Sequence, residues 1–128
     1  MHRMIGCVAL ALVCWMSDAT AQETGQNFTV QKLYEICQSS TLTDQEGCGL
    51  YLTGVGDIME QVALELTKPW ATKAARSDLS IHAICTPGYS GAQLRQLFIN
   101  WAEKNPKLWQ QPMHFGAVLA LREAWPCK

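Results

Sequence analysis

After a polar stretch at residues 22–27 (QETGQN), apolar positions begin to recur with a helical period. Val30, Leu33, Tyr34 and Cys37 follow one another at steps of three and four, which places them on one stripe of a helix. Asn27 or Thr29 offers the N-cap, and the helix is expected to end near Ser39. The following STLTDQEG has no apolar period and reads as a loop, with Asp44 in position to cap what comes next. A second stripe then runs through Cys48, Tyr51, Leu52, Val55, Ile58, Met59 and Val62. Pro69 should kink or end that helix.

Two glycines, Gly54 and Gly56, sit inside the second stripe. Each costs up to ~1 kcal/mol against alanine in a helix, so a reason is needed. Close packing against a neighbouring helix is one. A phosphate-binding loop is the other, and GVGDIM lacks the third glycine and the preceding strand that such a loop requires.

Residues 65–84 carry no clear period. A short helix around residues 70–76 and an irregular piece into Cys85 are expected, and so long a connection suits a binding feature. Thr86-Pro87-Gly88 then marks a turn, and Ser90 with Gln93 three residues on forms a capping box that opens a third helix. Its stripe is Leu94, Leu97, Phe98 and Trp101, and it should stop before Asn105-Pro106. A fourth helix runs from Pro112 to Ala124 with apolar residues on nearly every face, the pattern of a central, buried helix.

The pattern therefore predicts an all-α bundle of four main helices, with an extra short helix in the 65–84 connection. Short links make two antiparallel hairpins of helices. Hairpin geometry brings Cys37, at the end of the first helix, beside Cys48, at the start of the second. It likewise brings Cys85, before the third helix, beside Cys127, after the fourth. Four cysteines allow three connectivities, among which sequence alone does not choose, and the hairpins make this pairing the first choice. Closing the loop between Cys85 and Cys127 would contribute ~3–4 kcal/mol in the chain-entropy model.

Composition changes the picture at the N-terminus. The chain has 128 residues and six cysteines. It opens with the basic MHRM, the apolar IGCVALALVCWM and the polar SDATAQ. That order, with Ala19-Thr20-Ala21 as cleavage site, is the pattern of a secretory signal peptide over residues 1–21. The apolar run is shorter than the ~20 residues of a spanning helix, so no membrane anchor is expected. A lipoprotein is disfavoured by Val13 before Cys14. Cleavage removes Cys7 and Cys14 and leaves four cysteines in the domain 22–128, an even number that suits two disulfides in an oxidising compartment. Export from the cytoplasm follows as the expectation. A formal net charge of −1 gives no electrostatic ground for nucleic acid.

Candidate chemistry is sparse. No C-x-x-C is present, and His82 and His114 stand at no metal-ligand spacing, so neither a metal nor a cofactor is expected. Asp57 and Glu60 lie one helical turn apart and read as a solvated face. No nucleophile has a base beside it in the pattern, so no catalytic residue is assigned. Trp70 and Trp109 fall in connections, where an aromatic is either tucked in or serves as an interface anchor.

Two stretches carry a family resemblance. CGLYLTGVGDI places Cys, Tyr, Gly-Val and Asp on one helix. CTPGYSGAQLRQLFINWAEKNPKLWQQPMHFGAVLALREAWPCK opens on Cys-x-Pro, has Asn-Pro after its first helix and ends its Ala-Leu helix in aromatic-Pro-Cys. Over about residues 30–128 this ordered set resembles the Rap/Tai immunity proteins, which protect bacteria against peptidoglycan-cleaving amidase effectors delivered by type VI secretion. The resemblance implies a small periplasmic inhibitor, often a homodimer, that obstructs the amidase cleft with helical and loop surfaces. The matching residues are structural ones, so contact residues are sought in the connections. Lys107, Leu108, Trp109 and Gln110 form one candidate set, and Lys68, Trp70 and Arg76 the other. A small envelope chaperone that binds many unfolded clients weakly is the competing expectation.

Overall fold

The computed structural model describes residues 28–128; the expected signal peptide lies outside the described residues. Five α-helices are present: α1 (Val30–Gln38), α2 (Leu42–Leu66), α3 (Lys73–Leu79), α4 (Gly91–Lys104) and α5 (Met113–Ala124). Short 3-10 turns follow α3 at Ser80–His82 and α4 at Pro106–Leu108. Among the described residues there is no strand, only two isolated bridges, Thr29 with Pro112 and Ile84 with Pro126.

Thr29 caps α1, its hydroxyl accepting from the Lys32 amide. The backbone amides of Val30 and Gln31, which a helix start leaves without partners, donate to the carbonyls of Gln111 and Trp109. The α4–α5 connection is thereby tied to the first turn of α1. Val30, Leu33 and Cys37 face the core as the stripe requires.

The expected loop at residues 40–47 is corrected. Helix α2 begins at Leu42, and its cap is Thr41, which accepts from the Asp44 amide. STLTDQEG has no apolar period because these first two turns project into solvent, where only backbone bonding defines the helix. Asp44 contributes differently: its carboxylate accepts from the Ser39 hydroxyl, and this bond, followed by a side-chain hydrogen bond with Thr41, keeps its carboxyl below the usual range. Leu52 and Met59 are buried, but Ile58, assigned to the same stripe, is 68% exposed.

The glycines separate. A Cβ at Gly56 would lie 2.7 Å from the Tyr89 hydroxyl, so that glycine makes room for Tyr89. Gly54 faces open space, and close packing does not account for it. The close helix crossing falls one and two turns earlier, where a Cβ on Gly49 would lie 3.3 Å from the backbone of Gly91 on α4.

Helix α2 ends at Leu66, before Pro69. The short helix begins three residues later than expected, because Thr72 caps it through the Ala75 amide. The capping box at Ser90 and Gln93 forms as read, in both directions. Helix α4 packs on α1, α2 and α5, with Leu94, Phe98, Trp101 and Ala102 in the core.

Helix α5 is not enclosed as its apolar faces suggested. Gly116, Ala117, Ala120 and Leu121 are buried, whereas Phe115 is 41% exposed. Small residues bring α5 close: a Cβ at Gly116 would overlap Val30 and come within 3.3 Å of the Trp101 ring. Both disulfides join the residues that the hairpins bring together, Cys37 with Cys48 and Cys85 with Cys127, with Cα separations of 5.2 and 4.9 Å. The first lies wholly in the core and the second at the surface.

Candidate interaction surface

The two connections singled out as contact regions differ in how they are built. In the first, the turn after Asn105 folds back on the bundle. The Leu108 amide donates to Asn105, and the Trp109 amide to Pro106. The Trp109 indole then donates to the Ala102 carbonyl at 2.9 Å, and its ring lies 5.2 Å from that of Tyr34. Trp109 is half-buried, with its polar edge satisfied, and belongs to the bundle end where α1 begins and α4 stops. Leu108 is also half-buried, and Gln110 bonds Gln31. Lys107 points outward. The tip therefore offers less apolar contact area than its sequence suggests.

The second connection projects. The Ala71 amide donates to the Lys68 carbonyl at 3.1 Å, closing a four-residue turn with Pro69 at its second position, which suits the fixed φ of proline. Ala71 is buried and moors the turn. Arg76, from α3, donates to the carbonyls of Leu66 at 3.2 Å and Lys68 at 3.4 Å. Its guanidinium thus meets the end of α2, where unpaired carbonyls and the helix dipole favour a cation. Between these fixings Trp70 stands 65% exposed. The chain then returns to the core through Ala83 and Ile84, whose amide donates to Met59, and Arg122 of α5 bonds the Ile81 carbonyl.

Elsewhere the side chains are structural. His82 and His114 are exposed and far apart in the chain. Asp57 accepts from the Tyr89 hydroxyl at 2.6 Å, and Tyr89 stacks on Trp125 at 5.8 Å. Burial, and then the bond to Asp57, push the Tyr89 phenol well above its ordinary value. It remains a proton donor to Asp57 throughout the physiological range. This pair was not anticipated; Asp57 alone was noted, as part of a solvated face. Among the described residues no group of His, Cys, Asp or Glu could hold a metal ion, and no helix is long and apolar enough to cross a membrane. An apolar groove of about 490 Å³ lies between α2 and α4, lined by Leu42, Leu50 and Ala92.

What this arrangement offers is contact chemistry on a stapled helical frame, the make-up of a small protein-binding protein. The model of the Rap1a immunity protein family matches residues 29–127, and the chain belongs to that family. It is accordingly an immunity protein, an inhibitor rather than an enzyme, whose partner is a cognate effector. No curated protein matches the chain, and no solved structure does.

Proposed function

We propose that the protein protects the cell that makes it by binding a peptidoglycan amidase effector, delivered by type VI secretion, and obstructing its catalytic cleft. The observation that carries the reading is the family match over nearly the whole described chain. Two disulfides and an N-terminal pattern suited to secretion support the periplasm as the compartment. An amidase active there would attack the producer's own wall, so its inhibitor is needed on the same side of the membrane. Effector contact is drawn from the two connections, Lys107, Leu108, Trp109 and Gln110 on one and Lys68, Trp70 and Arg76 on the other. A homodimer with two-fold symmetry is the expected assembly.

The test is rescue. A peptidoglycan amidase effector, sought among the genes beside this one, is expressed in a bacterial periplasm, with the full chain or with a form lacking residues 1–21. Survival with the exported form alone is the expected result. Failure of both forms to protect would overturn the reading. The exposed Leu42, Leu50 and Ile58 on α2 favour, as second reading, an envelope chaperone. Weak binding of many unfolded polypeptides, without tight binding of one amidase, would support it.

A further inference from the structure

We propose that the Lys68–Ala71 turn is the anchor of the effector complex, with Trp70 entering an apolar recess whose rim is acidic. The inference rests on the reading that the partner is an amidase effector, and it names which surface engages and what the partner must present.

Trp70 differs from the other tryptophans of the described residues. The Trp101 indole donates to Glu123, the Trp109 indole to Ala102, and the Trp125 ring stacks on Tyr89. Trp70 has no such partner among the described residues and lies outside the core cluster. Yet the backbone beneath it is held on three sides, by the turn bond to Lys68, by buried Ala71 and by Arg76. A large aromatic on a fixed turn loses little conformational freedom on binding, and tryptophan is among the residues most enriched at the energetic centres of interfaces. A turn projecting beyond a helix end suits a recess rather than a flat face.

Cations outnumber acids on the turn itself, with Glu65 and Asp78 standing at its borders. Residues 67–77 (TKPWATKAARS) contain three cations and no acid, in a chain whose formal net charge is −1. Arg76 is engaged with carbonyls and positions the turn, which leaves Lys68 and Lys73 as the exposed collar. Neither forms an ion pair among the described residues; the pair present there is Lys32 with Glu35. Such a collar attracts an acidic rim and speeds encounter with it. Beside the turn, Glu60, Leu64 and Thr67 line a depression of about 290 Å³ bounded by Ile84 and Thr86.

The experiment uses the protein purified from the periplasm and an inactivated form of the amidase effector against which it protects in the rescue test. Affinity is measured by calorimetry, and folding of each variant by circular dichroism and thermal midpoint. Trp70→Ala should weaken binding at least about thirtyfold with the fold intact, in the range of a hot-spot residue. Trp70→Phe should recover part of the loss. Replacing Lys68 and Lys73 together by Glu should slow association about tenfold at low salt, and less at high salt. Phe115→Ala, an exposed aromatic on α5, should leave affinity unchanged. A Trp70→Ala affinity within about threefold of the wild type, against a hot-spot loss, overturns the inference and leaves the immunity reading standing. Absence of wild-type binding overturns both.

Discussion

Single residues in this protein have opposite effects depending on what stands beyond them. Gly54 and Gly56 are two positions apart on α2, yet only Gly56 has a neighbour within reach. Gly54→Ala should stabilise the fold by up to ~1 kcal/mol in urea titration, because a helical glycine is replaced in open space. Gly116→Ala should destabilise by about 1–3 kcal/mol, since the added methyl meets buried, β-branched Val30. The two substitutions are the same in chemistry and differ only in surroundings. Tyr89 supplies a pH prediction. Its phenol is raised in the folded state above the ordinary value of 10.0, so the neutral form is favoured there. That contribution is complete below about pH 10 and is lost as pH rises beyond it, because the unfolded chain ionises first. Tyr89→Phe should flatten the loss of stability in alkali, as measured by thermal midpoints. Sequence singled out Trp70 and Trp109 on equal terms. Only the fold distinguishes them, since Ala102 and Tyr34 reach Trp109 from elements that no local pattern connects to it.

At the scale of elements, the signals that were read correctly are short-range. Thr29, Ser90 with Gln93, Pro69 and Asn105-Pro106 act on backbone within about one turn, so their effects need no distant partner. The start of α2 was missed because its first two turns bear no apolar stripe. Thr41 was the available signal, a threonine three residues before the amide it accepts. Thr41→Ala should cost about 1 kcal/mol in urea denaturation, the usual worth of such a cap. The same substitution should weaken the acid dependence due to Asp44. That carboxyl is held low in the fold, so its stabilisation is present at neutral pH and is lost as acid protonates it. Helix α5 was misread for the converse reason. An all-round apolar pattern shows that many faces tolerate burial, but a small bundle supplies neighbours on only some of them, and the smallest residues take that side.

At the scale of the molecule, the two disulfides divide the work of holding the hairpins. Cys37–Cys48 closes a separation of 11 residues in the core, whereas Cys85–Cys127 closes 42 at the surface. The longer loop carries the larger entropic effect, about 4 kcal/mol in the chain-entropy model. Cys127→Ser should lower the thermal midpoint on the order of ten degrees, read by calorimetry against the wild type. Under mild reductant, alkylation should reach Cys85 and Cys127 before the buried pair. Mapping that instead linked Cys37 to Cys85 would break the hairpin arrangement. The surface bond also fastens the end of α5 to the strand-like piece at Ile84 that returns from the projecting turn. Loss of that fastening should therefore be felt at Trp70 as well as in stability.

The sequence by itself determined the helical class, most helix boundaries and the family, and it made the hairpin pairing of the cysteines the first choice. All of these follow from periodicity, caps and order along the chain, which are properties of neighbouring residues. The tertiary structure decided which faces of α2 and α5 meet the core, why Gly56 but not Gly54 is needed, and which tryptophan stays outside. Those outcomes depend on atoms brought together from distant positions, because burial belongs to the packed whole and not to any one segment.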